Sequence, residues 1–263
     1  MPIIDIADPA DSRISAYRDI RERDLVGRDG CFIAEGKVVL SALLQSRSFA
    51  TESVLVLKRR LAAIEGMLTA HRDLPVYLVD DVVMESIAGF DVHRGVLALG
   101  RRGFGLTAPE LIESLPGEAL VVVCVGISNH DNIGSIFRNA AAFGCSAVLL
   151  DATSCDPLYR KALRVSVGGV LRTPFARFES ADALVDRLAA AGFRQIALTP
   201  QAENGIADLT PARRTAVYLG SEGYGLPGRL MDRMIRVRIP IISDFDSLNV
   251  AAASAIALHR LKG

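Results

Sequence analysis

The stretch ALVVVCVGISNHDNIGSIFRNAAAFGCSAVLLD, residues 119–151, decides the fold class. It opens with an unbroken apolar run, passes through a polar turn, takes up helical spacing over 132–143 and closes with a second apolar run. That is strand, helix, strand. Apolar runs without polar alternation suit strands buried on both faces, the signature of a parallel sheet covered by helices. Downstream the alternation continues: a helical turn near 156–163, a strand near 174–178, a helix over 181–191 and strands RQIALT (194–199) and AVYLG (216–220). Helix 226–234, strand IRVRIP (235–240) and a last helix over 247–260 complete the pattern.

Upstream the same reading gives a second, smaller α/β unit. Residues 11–28 predict a polar, Arg-rich helix capped by Ser12, with Ile14, Tyr17 and Ile20 at helical spacing. FIAEGKVVLSALL (32–44) is a strand followed by a helix, and SVLVL (53–57) and PVYLV (75–79) are strands around a helix from Leu61 to His71. DDVVMESIAGF (80–90) is a short helix and RGVLALG (94–100) a strand. Gly, Pro and charge then interrupt the pattern. The expected organisation is an N-terminal helix plus α/β domain over 1–100, a linker over 101–117 and a larger α/β domain over 118–263.

Half of the 263 residues are apolar, enough for a substantial core, and 30 Lys+Arg against 30 Asp+Glu leave no net charge. Affinity for nucleic acid therefore has to come from local clustering, as in Lys58-Arg59-Arg60, Arg94/Arg101/Arg102 and the acid-free run carrying Arg160, Lys161, Arg164, Arg172 and Arg177. Cys31, Cys124, Cys145 and Cys155 lack metal-ligand spacing and read as reduced thiols, so no metal is expected. The acidic N-terminus does not resemble a signal peptide, and the longest apolar run, Ala119 to Ile127, is about half of a bilayer span. A soluble, cytoplasmic protein without a membrane partner is expected.

Two apparent motifs fail on context. Gly103-Phe104-Gly105-Leu106-Thr107-Ala108 fits GxGxxA, but no acid-ended strand follows at the distance a nicotinamide cofactor requires, so an oxidoreductase is disfavoured. Ser128, His130 and Asp131 hold the groups of a hydrolase triad, yet near-neighbours in sequence rarely line up as nucleophile, base and orienter.

Three other segments carry chemistry. In NHDNIGSIFRNAAAFG (129–144), Asn132 is placed to cap the helix, while Arg138 and Asn139 interrupt an otherwise apolar one. In LGSEGYGLP (219–227), three glycines follow a strand and Glu222 sits among them, an acid that a purely structural turn does not need. In IPIISDFDSLNV (239–250), Ser247 is the expected cap of the last helix, which leaves Asn249 without a structural reason.

In order and spacing these segments resemble the three motifs of the SpoU/TrmH family of RNA ribose 2′-O-methyltransferases, of the SPOUT class. Phe32-Ile33-Ala34-Glu35-Gly36 and His93-Arg94-Gly95-Val96 resemble the ends of that family's substrate-binding domain. Arg164-Val165-Ser166-Val167-Gly168-Gly169 resembles its R-x-S-x-G stretch. Two departures stand out: Ser128-Asn129-His130-Asp131 where many relatives carry an Asp-Pro-Gly-like run, and Ser135 where many have Ala.

The resemblance implies an α/β SPOUT domain with a deep trefoil knot, S-adenosylmethionine (SAM) as cofactor, ribosomal or transfer RNA as substrate, and a homodimer. It implies catalytic roles for Arg138, Glu222, Asn249, Asn132 and Ser247, and cofactor contacts from Gly220, Ile239, Leu248, Leu219 and Asn249. Arg138 is expected to orient phosphate and 2′-oxygen, because a guanidinium is a poor base, with Glu222 positioning Arg138 or the ribose. The competing expectation is a catalytically inactive RNA-binding or assembly protein of the same fold.

Overall fold

The structure is a computed structural model and describes residues 1–18, 30–88, 95–210, 212–242 and 246–262. The chain forms two compact units: Met1–Phe104 with Leu158–Leu171, and Gly105–Pro157 with Arg172–Gly263. In the first, β1 (Ile3–Asp5), β2 (Cys31–Glu35), β3 (Phe49–Leu57), β4 (Val76–Val79) and β5 (Val96–Arg102) make a mixed sheet in the order β1-β4-β3-β5-β2. β5 runs antiparallel to both of its neighbours. Helices α1 (Lys37–Leu44), α2 (Glu65–Leu68) and α3 (Asp81–Ala88) lie between the strands in sequence. Buried Ile14, Tyr17, Ile33, Leu55, Val83 and Leu97 belong to its core.

Two expectations for this unit are corrected. Instead of a helix over 61–71, a 3₁₀ segment Lys58–Ala63 leads into the single turn of α2, where Gly66 weakens propagation. Of the helix expected over 11–28, the described part is a 3₁₀ segment, Ser12–Tyr17, and residues 19–28 lie outside the described residues. Its cap is Asp11, not Ser12: the carboxylate accepts from Arg13 N at 2.9 Å and pairs with the Arg13 guanidinium. Tyr17 is fully buried; its hydroxyl bonds Ser53 Oγ at 2.7 Å and accepts from Leu99 N at 3.2 Å, fastening the segment to β3 and β5. His93 and Arg94 also lie outside the described residues.

The second unit begins with helix α4 (Ala108–Ser114), inside the segment expected to be a linker. The sequence explains it: Thr107 and Glu110 form a reciprocal capping box, and Ala108, Leu111 and Ile112 are buried in this unit's core. Strands β6 (Ala119–Cys124), β7 (Ala147–Asp151), β8 (Phe175–Phe178), β9 (Arg194–Leu198), β10 (Arg214–Leu219) and β11 (Ile235–Val237) form an all-parallel sheet, β11-β9-β10-β6-β7-β8. Helices α5 (His130–Ala142), α6 (Arg160–Val165), α7 (Ala181–Ala190), α8 (Gly228–Met231) and α9 (Val250–Lys262) complete the chain. α6 belongs to the first unit, where Arg160 and Arg164 approach the buried carboxylate of Glu35 at 3.6 and 3.9 Å.

Both faces of the parallel sheet are covered, as apolar strands require. Val121, Val123, Leu149 and Tyr218 pack with side chains of α4, α7 and α8, while the alternate residues Val122, Cys124, Val148 and Val217 are fully buried on the face that carries α5 and α9. Cys31, Cys124 and Cys145 are buried and Cys155 half-buried, none of them in a disulfide; burial pushes Cys145 up to about 12 and Cys155 to about 11. Among the described residues no helix is long and apolar enough to cross a membrane.

Strand order sets the position of the site. From β6 the chain steps to β7 and β8 on one side, while β10, β9 and β11 lie on the other. Such a reversal opens a crevice at the carboxyl ends of the strands, where open α/β sheets bind ligands.

Candidate active site at the strand ends

The three chemically suggestive segments leave the sheet at this end: one after β6 into α5, one after β10, one after β11 into α9. Their side chains converge. Asn132 Nδ2 donates a short hydrogen bond to Glu222 Oε1. Asn249 Nδ2 donates to the same oxygen at 3.2 Å and to Asn132 Oδ1 at 3.0 Å. Asn132, Glu222 and Asn249, more than a hundred positions apart at the extremes, thus form one closed cluster.

Local folding explains each position and corrects both predicted caps. Asn129, not Asn132, caps α5: its Oδ1 accepts from Asp131 N at 2.8 Å and Asn132 N at 3.3 Å. The helix therefore starts two residues earlier than expected, and buried Asn132 keeps its own amide for Glu222. At α9 the cap is Asn249, not Ser247; its Oδ1 accepts from Ala251 N at 2.8 Å and Ala252 N at 3.3 Å. About two turns beyond Asn132, Asn139 Nδ2 donates to Ala251 O at 2.9 Å and Ser254 Oγ at 2.8 Å, tying α5 to α9. Asn139 therefore has a packing role.

Beside the cluster lies a cavity of about 710 Å³, within the size range of small-molecule sites. Its lining includes Leu219, Gly220, Ile239, Ser247, Leu248 and Asn249, so all five residues expected to contact a cofactor stand on one cavity. A smaller cavity, about 400 Å³, is lined by the turn Gly126–Asn129, by Asn132 and by Ser221–Tyr224. Glu222 and Tyr224 border both. Gly220 is required by space: an added Cβ would fall 2.3 Å from the Gly225 carbonyl carbon and 2.4 Å from Leu226 N.

The turn before α5 is held from the next strand. Asp151 Oδ1 accepts from Gly126 N at 3.1 Å and Ser154 N at 2.9 Å, and Ser154 Oγ accepts from Ile127 N at 3.0 Å. Partial burial opposes the charge on Asp151, but the Ser154 and Thr153 hydroxyls and these N–H groups outweigh it and hold the carboxyl below its ordinary value.

Arg138 is not drawn into the cluster. It is exposed, lines neither cavity and has no hydrogen bond or ion pair among the described residues. It sits six residues beyond Asn132 in α5, about 9 Å along the axis and on another face. Glu222 therefore positions two asparagines, not Arg138. Thr199, Pro200 and Gln201, which sequence reasoning missed, also line the larger cavity. They follow β9, which pairs with β10, so strand order rather than any motif brings them there.

A doubly covered parallel sheet with a cavity at its switch point defines an α/β protein that takes a small ligand between strand ends. The model of the SpoU rRNA Methylase family matches residues 119–259. An uncharacterised tRNA/rRNA methyltransferase of Mycobacterium tuberculosis is 37% identical over 98% of this chain and 91% of its own length. A solved structure described as an RNA 2′-O ribose methyltransferase superposes with a TM-score of 0.81 at 26% identity, covering 98% of each chain. An AdoMet-bound rRNA methyltransferase from Sinorhizobium meliloti shares the fold at a TM-score of 0.83 and 23% identity, over 99% of this chain and 97% of that one. The chain belongs to the SpoU family of RNA methyltransferases, whose cofactor is S-adenosylmethionine.

The larger cavity fits that cofactor chemically. Among its described lining residues are two carboxylates, Glu222 and Asp246, and no Lys, Arg or His, a balance that suits a ligand carrying a sulfonium. Leu198, Leu219, Ile239, Leu248 and Val250 supply apolar wall for a flat heterocycle, and peptide groups at the ends of β9 and β10 supply polar contacts.

Proposed function

We propose that this protein transfers the methyl group of SAM to a ribose 2′-hydroxyl of ribosomal or transfer RNA. The observation that carries the proposal is the Asn132–Glu222–Asn249 cluster standing beside both cavities. When bound, SAM supplies an electrophilic methyl group. Leu219, Gly220, Ile239, Leu248 and Asn249 would hold it in the larger cavity.

A ribose hydroxyl is a weak nucleophile, so the protein has to align it and stabilise the charge that develops as its proton leaves. Two amides occupy Glu222 Oε1, which fixes the carboxylate and leaves Oε2 to accept a hydrogen bond from the hydroxyl. Ser247, on the cavity wall, offers a further hydroxyl contact. The exposed Arg138, which lines neither cavity, is available to an RNA phosphate rather than to the cofactor. Residues 1–100 are assigned to RNA recognition. We further assign the chain to a homodimer and the second unit to the trefoil knot of its class. The exposed Ala252 and Ile256 on α9 support a paired surface. The intact cluster weighs against an inactive RNA-binding protein of this fold.

Arg138→Ala tests the mechanism. It is expected to lower methyl transfer by about a hundred- to a thousandfold, the cost of losing one preorganised donor, with SAM affinity by calorimetry unchanged. Arg138→Lys rescues poorly, since a point charge cannot reproduce the planar fork. Near-normal turnover in the Ala variant overturns the assignment, and lost SAM affinity moves Arg138 to a structural role.

A further inference from the structure

The loop between β10 and α8 carries an aromatic ring, Tyr224, that stands clear of the other described side chains. Tyr224 is 98% exposed, and its ring makes no hydrogen bond or ring contact among the described residues. The backbone beneath it is held: Tyr224 N donates to Ser221 Oγ at 3.3 Å, Gly225 N donates to Ser221 O at 2.9 Å, and Gly225 turns through φ +65°. The other four tyrosines are buried or half-buried, and the chain has no Trp. A turn that served only to connect elements would do as well with a polar residue here. Instead the ring borders both cavities, next to Glu222.

The smaller cavity has the character of a polar subsite. Ser128, Asn129, Asn132, Ser221 and Glu222 line it with hydroxyl, amide and carboxylate groups, and Gly126 and Gly223 leave backbone accessible. Such a lining can receive a sugar and hydrogen-bond it, and among its described residues Tyr224 is the one aromatic face. Proteins that act on unpaired RNA commonly hold a splayed base on an aromatic face.

We propose that Tyr224 stacks on the base of the nucleotide whose ribose enters the smaller cavity, and so is a substrate-positioning residue for the methyl transfer. The proposal rests on the RNA methyltransferase reading. Stacking needs the face of the ring and not its hydroxyl, which fixes the pattern of variants. The test measures KM and kcat for methyl transfer to total RNA from cells lacking the gene, together with SAM affinity by calorimetry, for the full chain and its Tyr224 variants. Tyr224→Ala and Tyr224→Leu are expected to raise KM for RNA by roughly five- to a hundredfold, the range one stacked base commands. Tyr224→Phe and Tyr224→Trp stay near the parent, and SAM affinity is the same in all. A Tyr224→Ala enzyme with normal KM overturns the proposal, as does a Tyr224→Phe enzyme as impaired as the Ala one. Weakened SAM binding in the Ala variant also overturns it, by making the ring a cofactor cover. A parent protein that methylates no RNA refutes the functional reading and the stacking with it, whereas an active parent indifferent to Tyr224 refutes the stacking alone.

Discussion

Asn249 uses both ends of one amide: Oδ1 caps α9 through Ala251 and Ala252, and Nδ2 holds Glu222 and Asn132. The two functions separate by substitution. Asn249→Asp keeps the capping acceptor, removes the donor and sets a second carboxylate against Glu222. Its thermal midpoint should stay near the parent's while methyl transfer falls about tenfold or more, as expected for a lost bond to a charged group. Asn249→Ala should lose the activity and, in addition, about 1 kcal/mol of stability from the missing cap. Full activity in the Asp variant would contradict the cluster's role. Asp151 has a pH signature of its own. Its carboxyl titrates below the ordinary carboxylate value in the folded chain, so the unfolded chain takes up the proton first on acidification. The stability it contributes is complete above about pH 4 and declines as pH falls through the depressed folded value. In melts recorded across that range, Asp151→Asn should show a shallower acid decline than the parent, and an identical decline would remove Asp151 from the account.

The loop after β10 is shaped by a spatial demand at one glycine. A Cβ at Gly220 cannot be placed without moving Gly225 and Leu226, so Gly220→Val should displace the cofactor wall and weaken SAM binding by about tenfold or more. Calorimetry measures this directly, and unchanged affinity would mean the cavity does not hold the cofactor. Elements of this kind were largely legible in the sequence. Apolar runs located the six parallel strands, and acid among glycines marked Glu222. Helix starts were less legible, because Asn129 and Asn132, or Ser247 and Asn249, are equally good caps locally. Which of them caps depends on the partner that claims the other: Glu222 takes Asn132 into the cluster, and the α9 backbone selects Asn249. Thr199 and its neighbours were not legible at all, since pairing of β9 with β10 is a property of strand order.

At the scale of the molecule, sequence adjacency misled in two places. Residues 101–117 have the composition of a linker, yet Thr107 and Glu110 start a helix whose apolar side belongs to the second core. Leu158–Leu171 lies in the middle of the expected catalytic domain but belongs to the first unit. The basic clusters also read differently once folded. Lys58 pairs with Asp5 at 2.7 Å, Arg101 with Glu52 at 2.6 Å, and Arg160 and Arg164 flank Glu35, so much of that charge is balanced locally. At the site, the chemistry of the acceptor atom becomes the deciding fact. Purified protein, SAM carrying an isotopically labelled methyl group and total RNA from cells lacking the gene provide the most direct test, with the RNA digested to nucleosides and analysed by mass spectrometry. The label is expected on the ribose of a single kind of nucleoside, as a 2′-O-methyl group. Label on a base, or RNA left unlabelled by a protein that binds SAM, would contradict it.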